Sequence, residues 1–174
     1  MPGRSLESAR ASARAVVLGL LLGIGLPASV ARAELKEVTQ IAAGMECAEC
    51  SRNLRVAIKA LDGVEDAETS WNRRILKVKF RAGSRATLAD VREIVRLHHF
   101  EAREAEIVAV GRLERSAGGD LTLRISGSDA VYLLKGAVPP VVPAGAAVEV
   151  KGRVAGQGPS SPTPELWVLA LRGA

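Results

Sequence analysis

The chain has 174 residues, which is enough for one domain or two small ones. Aromatic residues make up only 3% of it, so its core must be built from aliphatic side chains. Three of its five net positive charges belong to residues 1–33, which leaves a formal charge of +2 for residues 34–174. So small a charge, with no basic stripe, argues against nucleic-acid binding.

Residues 1–33 have the pattern of a secretory signal peptide. Arginines precede an apolar run over residues 15–26, and Ala31-Arg32-Ala33 has the small-x-small form of a cleavage site. The run is shorter than the roughly 17–25 residues that a membrane span needs. We therefore expect cleavage after Ala33 and an exported protein, periplasmic if the source is Gram-negative. We expect no stable membrane span after cleavage.

The apolar periodicity of residues 34–107 predicts a compact α/β unit. Thr87 is a candidate N-cap of its second helix, with Asp90 completing a capping box. The element order is β-α-β-β-α-β, the split ferredoxin-like arrangement. The predicted elements are a strand over 35–43, a helix over 47–61, strands over 64–71 and 75–80, a helix from Thr87 to His98 and a strand over 101–110.

Residues 108–174 lack helical periodicity and predict a small module of β-strands. Many short strands separated by turn signals favour a barrel or sandwich, and five strands in this length suit an OB-like barrel. No polar linker separates the module from the first unit, which allows the fourth strand of that unit to continue into it. The candidate strands are 107–114, 121–126, 130–134, 147–155 and 165–171.

Cys47 and Cys50 are the only cysteines in the chain, and they fall where the first predicted helix begins. A helix N-terminus carries partial positive charge, which lowers the pKa of a thiol and favours the metal-binding thiolate. The Cys-x-x-Cys spacing lets both sulfurs reach one point. Two soft thiolates suit Cu(I), Hg(II), Cd(II) or Zn(II).

Several neighbouring residues are candidates for a further role at this site. Glu46 could supply an oxygen ligand, which Zn(II) accepts and Cu(I) does not need. Met45 is either a thioether ligand or, as we favour, an apolar side chain packed under the loop. His98 and His99 lie at the end of the second helix, and one of them could be a third ligand or a nearby proton carrier. We favour the alternative, histidines that interact with the helix dipole.

The sequence Gly44-Met45-x-Cys47-x-x-Cys50, followed by Leu61-Asp62-Gly63-Val64, resembles the heavy-metal-associated (HMA) domain. The resemblance covers about residues 35–107. It implies a ferredoxin-like fold with a surface loop in which Cys47 and Cys50 bind the metal, with Met45 and Phe100 beside them. Phe100 stands where many members have Tyr. The resemblance says nothing about the role of residues 108–174.

The HMA family includes copper chaperones, N-terminal domains of metal-transporting P-type ATPases and the periplasmic mercury-binding protein. A leader followed by one such unit is similar to the last of these. The resemblance implies metal transfer by ligand exchange, in which the cysteines of a partner attack the bound metal. The expected partner is a membrane metal transporter or another metal-binding domain.

The sequence thus predicts an exported metal carrier or scavenger that is not an enzyme. A thiol–disulfide oxidoreductase is a second interpretation, because Cys-x-x-Cys at a helix start also occurs in thioredoxin-like sites. The predicted element order and the lack of a Trp before Cys47 argue against it. A third interpretation is an interaction subunit whose β module is gated by metal occupancy.

Overall fold

The computed structural model describes residues 34–125, 127–136, 138, 143–156 and 163–174. The predicted signal peptide, residues 1–33, lies outside the described residues. The predicted order of elements is confirmed. The elements are β1 (Glu34–Ala43), α1 (Ala48–Lys59), β2 (Val64–Ser70), β3 (Ile75–Phe80), α2 (Leu88–Leu97), β4 (Glu101–Arg115), β5 (Leu121–Arg124), β6 (Val131–Gly136), β7 (Ala147–Val154) and β8 (Glu165–Gly173).

The first unit is a ferredoxin-like β-α-β-β-α-β fold. Its strands pair in the order β2-β3-β1-β4, all antiparallel, and α1 and α2 contact each other. Each helix buries one apolar stripe, which is formed by Leu54 and Ile58 in α1 and includes Val91 and Val95 in α2. None of the helices in the described residues is long and apolar enough to cross a membrane.

The predicted capping box at the start of α2 is confirmed. The Thr87 hydroxyl accepts a hydrogen bond from the backbone N–H of Asp90 at 3.2 Å, and the Asp90 carboxylate accepts from the backbone N–H of Thr87 at 2.8 Å. These two bonds satisfy amide donors that the first turn of a helix leaves without intrahelical partners. The sequence therefore fixes where α2 begins.

Strand β4 belongs to both modules. One edge of β4 pairs with β1 and then, over Arg112–Arg115, with β5, while its other edge pairs with β7. The boundary predicted between residues 107 and 108 thus falls inside a continuous strand. The sheet continues β4-β5-β6-β8-β7, and the β4–β7 pairing closes these five strands into a barrel-like ring. Only the β6–β8 pair of the ring is parallel.

Gly111 lets the chain make the close crossing where β4 leaves β1 and meets β5. A Cβ atom there would lie 2.5 Å from the carbonyl oxygen of Arg124 and 2.8 Å from Leu123 Cδ1. Glycines at such positions are typical of barrel corners. Any larger residue at this position would force β5 away from β4.

A β-bulge at the junction of the modules is filled by two buried polar side chains. Gln40 in β1 pairs with Ala105 while Ala42 pairs with Ala102, so β4 has one extra residue between these pairs. The Gln40 amide donates to the carbonyl oxygens of Arg103 and Glu104, at 2.9 and 3.3 Å. Gln40 is fully buried, and its amide satisfies carbonyl groups near the irregular part of the ladder.

Arg92 of α2 connects this bulge to the end of β7. The side chain is only 1% exposed, and its Nε donates to Gln40 Oε1 at 3.1 Å. Its Nη2 donates to the carbonyl oxygens of Arg103 in the bulge, at 3.2 Å, and of Val154 and Ala155, at 3.3 and 2.8 Å. Burial lowers the pKa of the Arg92 guanidinium. A helix of the first unit is thereby bonded to a strand of the barrel through a buried cation.

A second polar connection lies between β1, β7 and β8. Lys36 Nζ donates to Glu149 Oε2 at 2.7 Å, and Arg172 Nε donates to Glu149 Oε1 at 2.8 Å. These two hydrogen bonds hold the pKa of Glu149 below its usual range, although burial opposes the shift. Glu149 therefore connects the first unit to both C-terminal strands of the barrel.

Candidate metal centre

The loop between β1 and α1 presents both cysteines at the protein surface. Gly44 turns the chain with φ of +89°, a left-handed conformation that favours glycine. Met45 is fully buried in the core, whereas Cys47 is exposed and Cys50 half-buried. The loop is thus fixed from below by Met45 while its sulfurs stay accessible. Met45 occupies a packing position, away from the exposed surface where a ligand would be needed.

Cys47 is the N-cap of α1 and is joined to Cys50 by a disulfide. Their Cα atoms are 5.2 Å apart. The backbone N–H of Cys50 donates to Cys47 Sγ at 3.0 Å, and the Cys47 carbonyl accepts from the backbone N–H of Ser51 at 3.0 Å. The sulfur of Cys47 therefore sits where the unpaired amides of the helix start converge, a position that stabilises a thiolate after reduction.

Glu46 points to an arginine of the β2–β3 turn. Arg74 Nη2 donates to Glu46 Oε1 at 3.2 Å, and both side chains are more than half exposed. The turn is held beside the loop because the Arg74 carbonyl accepts from the backbone N–H of Ala42 at 2.8 Å. The candidate oxygen ligand is thus an ion-pair partner in this structure.

His98 and His99 end α2 on the side of the sheet where β1 also ends. His98 is the C-cap residue, and His99 has a φ of +61°. Phe100 follows, with its ring carbon Cδ1 3.9 Å from the position of a Cβ on Gly44. The corner after α2 therefore lies next to the loop through Phe100. Across the described ranges, no group of three or more His, Cys, Asp or Glu side chains could hold a metal ion.

Two contacts at the site were missed by the sequence interpretation. One is Arg74, and the other is Thr69, whose hydroxyl donates to the carbonyl of Ser51 at 3.1 Å and so ties the first turn of α1 to β2. The signal for Arg74 was available in the predicted topology. In this fold β1 and β3 are antiparallel neighbours, so the turn before β3 must lie next to the loop after β1.

The donor set fits a soft metal ion with two sulfur ligands. The two sulfurs already meet in a disulfide, so they can converge on one ion once they are reduced. The site is at the surface, and a partner can reach it. A disulfide has no thiolate, so reduction must come before metal binding.

Comparison with known proteins identifies the first unit. Residues 40–101 match the family model of the heavy-metal-associated domain. The match covers under half of the chain, and the additional strands β5 to β8 lie outside it. Residues 40–101 therefore form a heavy-metal-associated domain, as the loop sequence predicted. A search of curated proteins finds no match.

Three solved structures that are similar to this chain each cover about two fifths of it. The yeast copper transporter domain Ccc2a, determined in apo and Cu(I)-loaded states, is 24% identical and covers 38% of this chain and 90% of its own, with a TM-score of 0.36. A copper binding domain from HMA7, a P-type ATPase, is 26% identical over 41% of this chain and 92% of its own, with a TM-score of 0.36. A putative copper-ion-binding protein from Bacillus anthracis is 20% identical over 40% of this chain and 96% of its own, with a TM-score of 0.37.

Proposed function

We propose that this protein is an exported carrier or scavenger of a soft metal ion, which it binds through the thiolates of Cys47 and Cys50. The observation that carries the proposal is the convergence of these two sulfurs at the exposed start of α1, inside a heavy-metal-associated domain. Copper(I) is the favoured ion because two thiolates satisfy it without further ligands. Hg(II), Zn(II) and Cd(II) are the other candidates.

Reduction, metal binding and transfer follow one another in this proposal. A dithiol reductant supplies two electrons and two protons to the Cys47–Cys50 disulfide and is itself oxidised to a disulfide. The two thiols then lose their protons as the metal binds, so affinity rises with pH. A partner with cysteines of its own then replaces these ligands one at a time. The protein contributes binding and positioning and performs no enzymatic step.

Competitive metal titration of the reduced protein tests the proposal. We expect one ion to bind per chain, and we expect Cys47→Ser or Cys50→Ser to abolish tight binding. Ala48→Ser, a change in the same exposed turn, is the matched control and should leave affinity unchanged. The proposed function would be refuted if both cysteine variants bound the metal as tightly as the wild type. It would also be refuted if the reduced wild type bound no metal.

The disulfide itself favours a second candidate, a thiol–disulfide oxidoreductase. Cys47 is exposed and sits at a helix start, the position of a reactive cysteine in such enzymes. An insulin-reduction assay beside the metal titration separates the two functions. Reduction of insulin by the protein without stable metal binding would favour the enzyme.

The remaining parts of the proposal concern location and partners. The pattern of residues 1–33 supports export, to the periplasm of a Gram-negative cell. The partner would be a membrane metal transporter or a second metal-binding domain. A pull-down with and without metal tests whether binding of a partner depends on the metal. Export is tested by fractionation: processing at Ala33 with the protein outside the cytoplasm is the expected result, and an uncleaved cytoplasmic chain is the contrary one.

We also propose that the C-terminal ring is an OB-like barrel. Its support is the closed order β4-β5-β6-β8-β7 of five strands. Such a barrel would stabilise the small metal-binding unit through the shared β4 or dock a partner beside it. An experimental structure in which β4 and β7 are unpaired would contradict the closed ring.

A further inference from the structure

The ion pair between Glu46 and Arg74 stands directly beside the candidate metal site. Glu46 directly precedes Cys47 in the chain. Its carboxylate is the candidate oxygen ligand of the loop, and in this structure it is paired with Arg74. Arg74 Nη2 holds this carboxylate at 3.2 Å. Arg74 itself comes from a different part of the chain, the turn before β3.

The position of Arg74 is fixed by its backbone. It has a φ of +55°, its N–H donates to the Trp71 carbonyl at 3.2 Å, and its carbonyl accepts from Ala42 in β1 at 2.8 Å. The guanidinium therefore starts from a turn bonded to the strand that leads into the metal loop. This places a permanent cation next to Glu46 without depending on a long flexible segment.

We propose that Arg74 is a specificity residue, which favours a monovalent soft ion over Zn(II) by holding Glu46 away from the metal. This inference rests on the proposed function of Cys47 and Cys50. A monovalent ion bound by two thiolates needs no oxygen ligand, whereas Zn(II) gains from a third and fourth ligand. While the Glu46 carboxylate is paired with Arg74, Zn(II) must displace a hydrogen-bonded cation to obtain that ligand.

The charge of Arg74 acts in the same direction. Two thiolates around Cu(I) leave one negative charge, which a nearby cation stabilises, whereas two thiolates around Zn(II) leave none. Because the pair is exposed, both effects are modest. We expect Arg74→Ala to raise the affinity for Zn(II) relative to Cu(I) by about two- to five-fold, the range that an exposed ion pair can oppose.

A double-mutant cycle with Glu46 separates ligand withholding from charge alone. Competitive titrations with Cu(I) and Zn(II) are compared for the reduced wild type, Arg74→Ala, Glu46→Ser and the double variant. We expect loss of Arg74 to change the Zn(II)-to-Cu(I) ratio more when Glu46 is present than in the Glu46→Ser background, where only the charge effect of Arg74 remains. An equal change in both backgrounds would mean that Arg74 acts only through its charge, and the inference would be wrong.

Arg73→Ala is the matched control, since Arg73 lies in the same turn and has no ion pair in the described part of the chain. It removes the same charge and should leave the ratio within two-fold of the wild type. Arg74→Lys keeps a cation able to pair with Glu46 and should restore most of the preference for Cu(I). A ratio that Arg73→Ala shifts as much as Arg74→Ala would overturn the assignment to Arg74.

The outcome for the wild type keeps this inference distinct from the proposed function. If the reduced wild type binds none of Cu(I), Zn(II), Cd(II) and Hg(II), the proposed function fails. If it binds only Cd(II) or Hg(II), the proposed function stands and the inference about Arg74 is wrong. If it binds metal through the cysteines and Arg74→Ala leaves the ratio unchanged, the proposed function stands and Arg74 has no role in specificity. Thermal unfolding of each apo variant shows whether a lost affinity reflects the site or the fold.

Discussion

Replacing Arg92 by Leu should destabilise the protein far more than an ordinary surface substitution. The variant removes the donors to Gln40 Oε1, to the Val154 and Ala155 carbonyls, and to the Arg103 carbonyl. The Arg103 carbonyl keeps the hydrogen bond from the Gln40 amide. Gln40 and Val154 are buried, whereas Ala155 is exposed and water can take the place of the guanidinium there. An unsatisfied buried group costs about 1–3 kcal/mol, so we expect a loss of about 2–4 kcal/mol in the free energy of unfolding.

Urea denaturation followed by circular dichroism measures this loss. Arg96→Leu is the matched control, one turn further along α2, because the ion pair of Arg96 with Glu93 is about half exposed. The control should change stability by less than about 0.5 kcal/mol. A loss below about 1 kcal/mol for Arg92→Leu would refute the view that this side chain joins the two modules.

The pairing of Arg92 with Gln40 allows a further check of the same reasoning. Gln40→Leu removes the acceptor of Arg92 Nε and the donors to the Arg103 and Glu104 carbonyls. Because both residues serve one network, their effects should not add, and the double variant should lose less than the sum of the single losses. Strict additivity would mean that the two side chains act independently.

Three further predictions concern pH and the metal loop. Glu149→Gln should be less stable than the wild type at pH 7, by about 1 kcal/mol. Because the folded-state pKa of Glu149 is lowered, this stability difference should vanish as the pH falls through that pKa, which urea denaturation at several pH values measures. A difference that does not depend on pH would contradict this prediction. Tyr132 is the only tyrosine, and burial raises its pKa to about 12. Ultraviolet titration of the folded protein should therefore show ionisation well above pH 10, and the free energy of unfolding should fall from pH 10 upward. Ionisation near pH 10 in the folded protein would show that Tyr132 is not buried. Gly44→Ala should lower the free energy of unfolding by about 1–2 kcal/mol, because alanine is strained at the positive φ of this position, whereas the added Cβ makes only an ordinary contact. The same backbone strain should weaken metal binding by the reduced protein. Unchanged thermal stability would argue against the left-handed turn.

The local features of the chain could be predicted well. Helix starts, turns and strands depend on residues that are close together in the sequence. The capping box of Thr87 and Asp90 and the turn at Gly44 are examples. The apolar periodicity predicted the first three strands of the first unit to within a residue at each end, whereas the fourth strand continues from its predicted end at residue 110 to Arg115. The candidate thiolates were equally clear, because no other cysteine in the chain competes with Cys47 and Cys50.

Features that join distant residues could not be predicted in the same way. Arg74 pairs with Glu46 across 28 positions, and Arg92 bonds Gln40 across 52 positions and Ala155 across 63. From the sequence alone, an arginine in a helix is predicted to lie at the solvated surface, because charged side chains are rarely buried unless they are paired. Nothing near Arg92 in the chain indicates that a bulge in β4 offers carbonyl groups that it can satisfy.

The Gly44–Cys50 segment shows how the two kinds of information divide. The sequence by itself determined the type of loop, the two sulfurs and their place at a helix start, because these depend on residues within one turn of each other. Only the tertiary structure decided that the carboxylate beside those sulfurs faces an arginine, that β4 is shared with a closed ring and that a buried guanidinium joins the modules. Those contacts depend on which strands become neighbours, and a chain must fold before its distant residues meet.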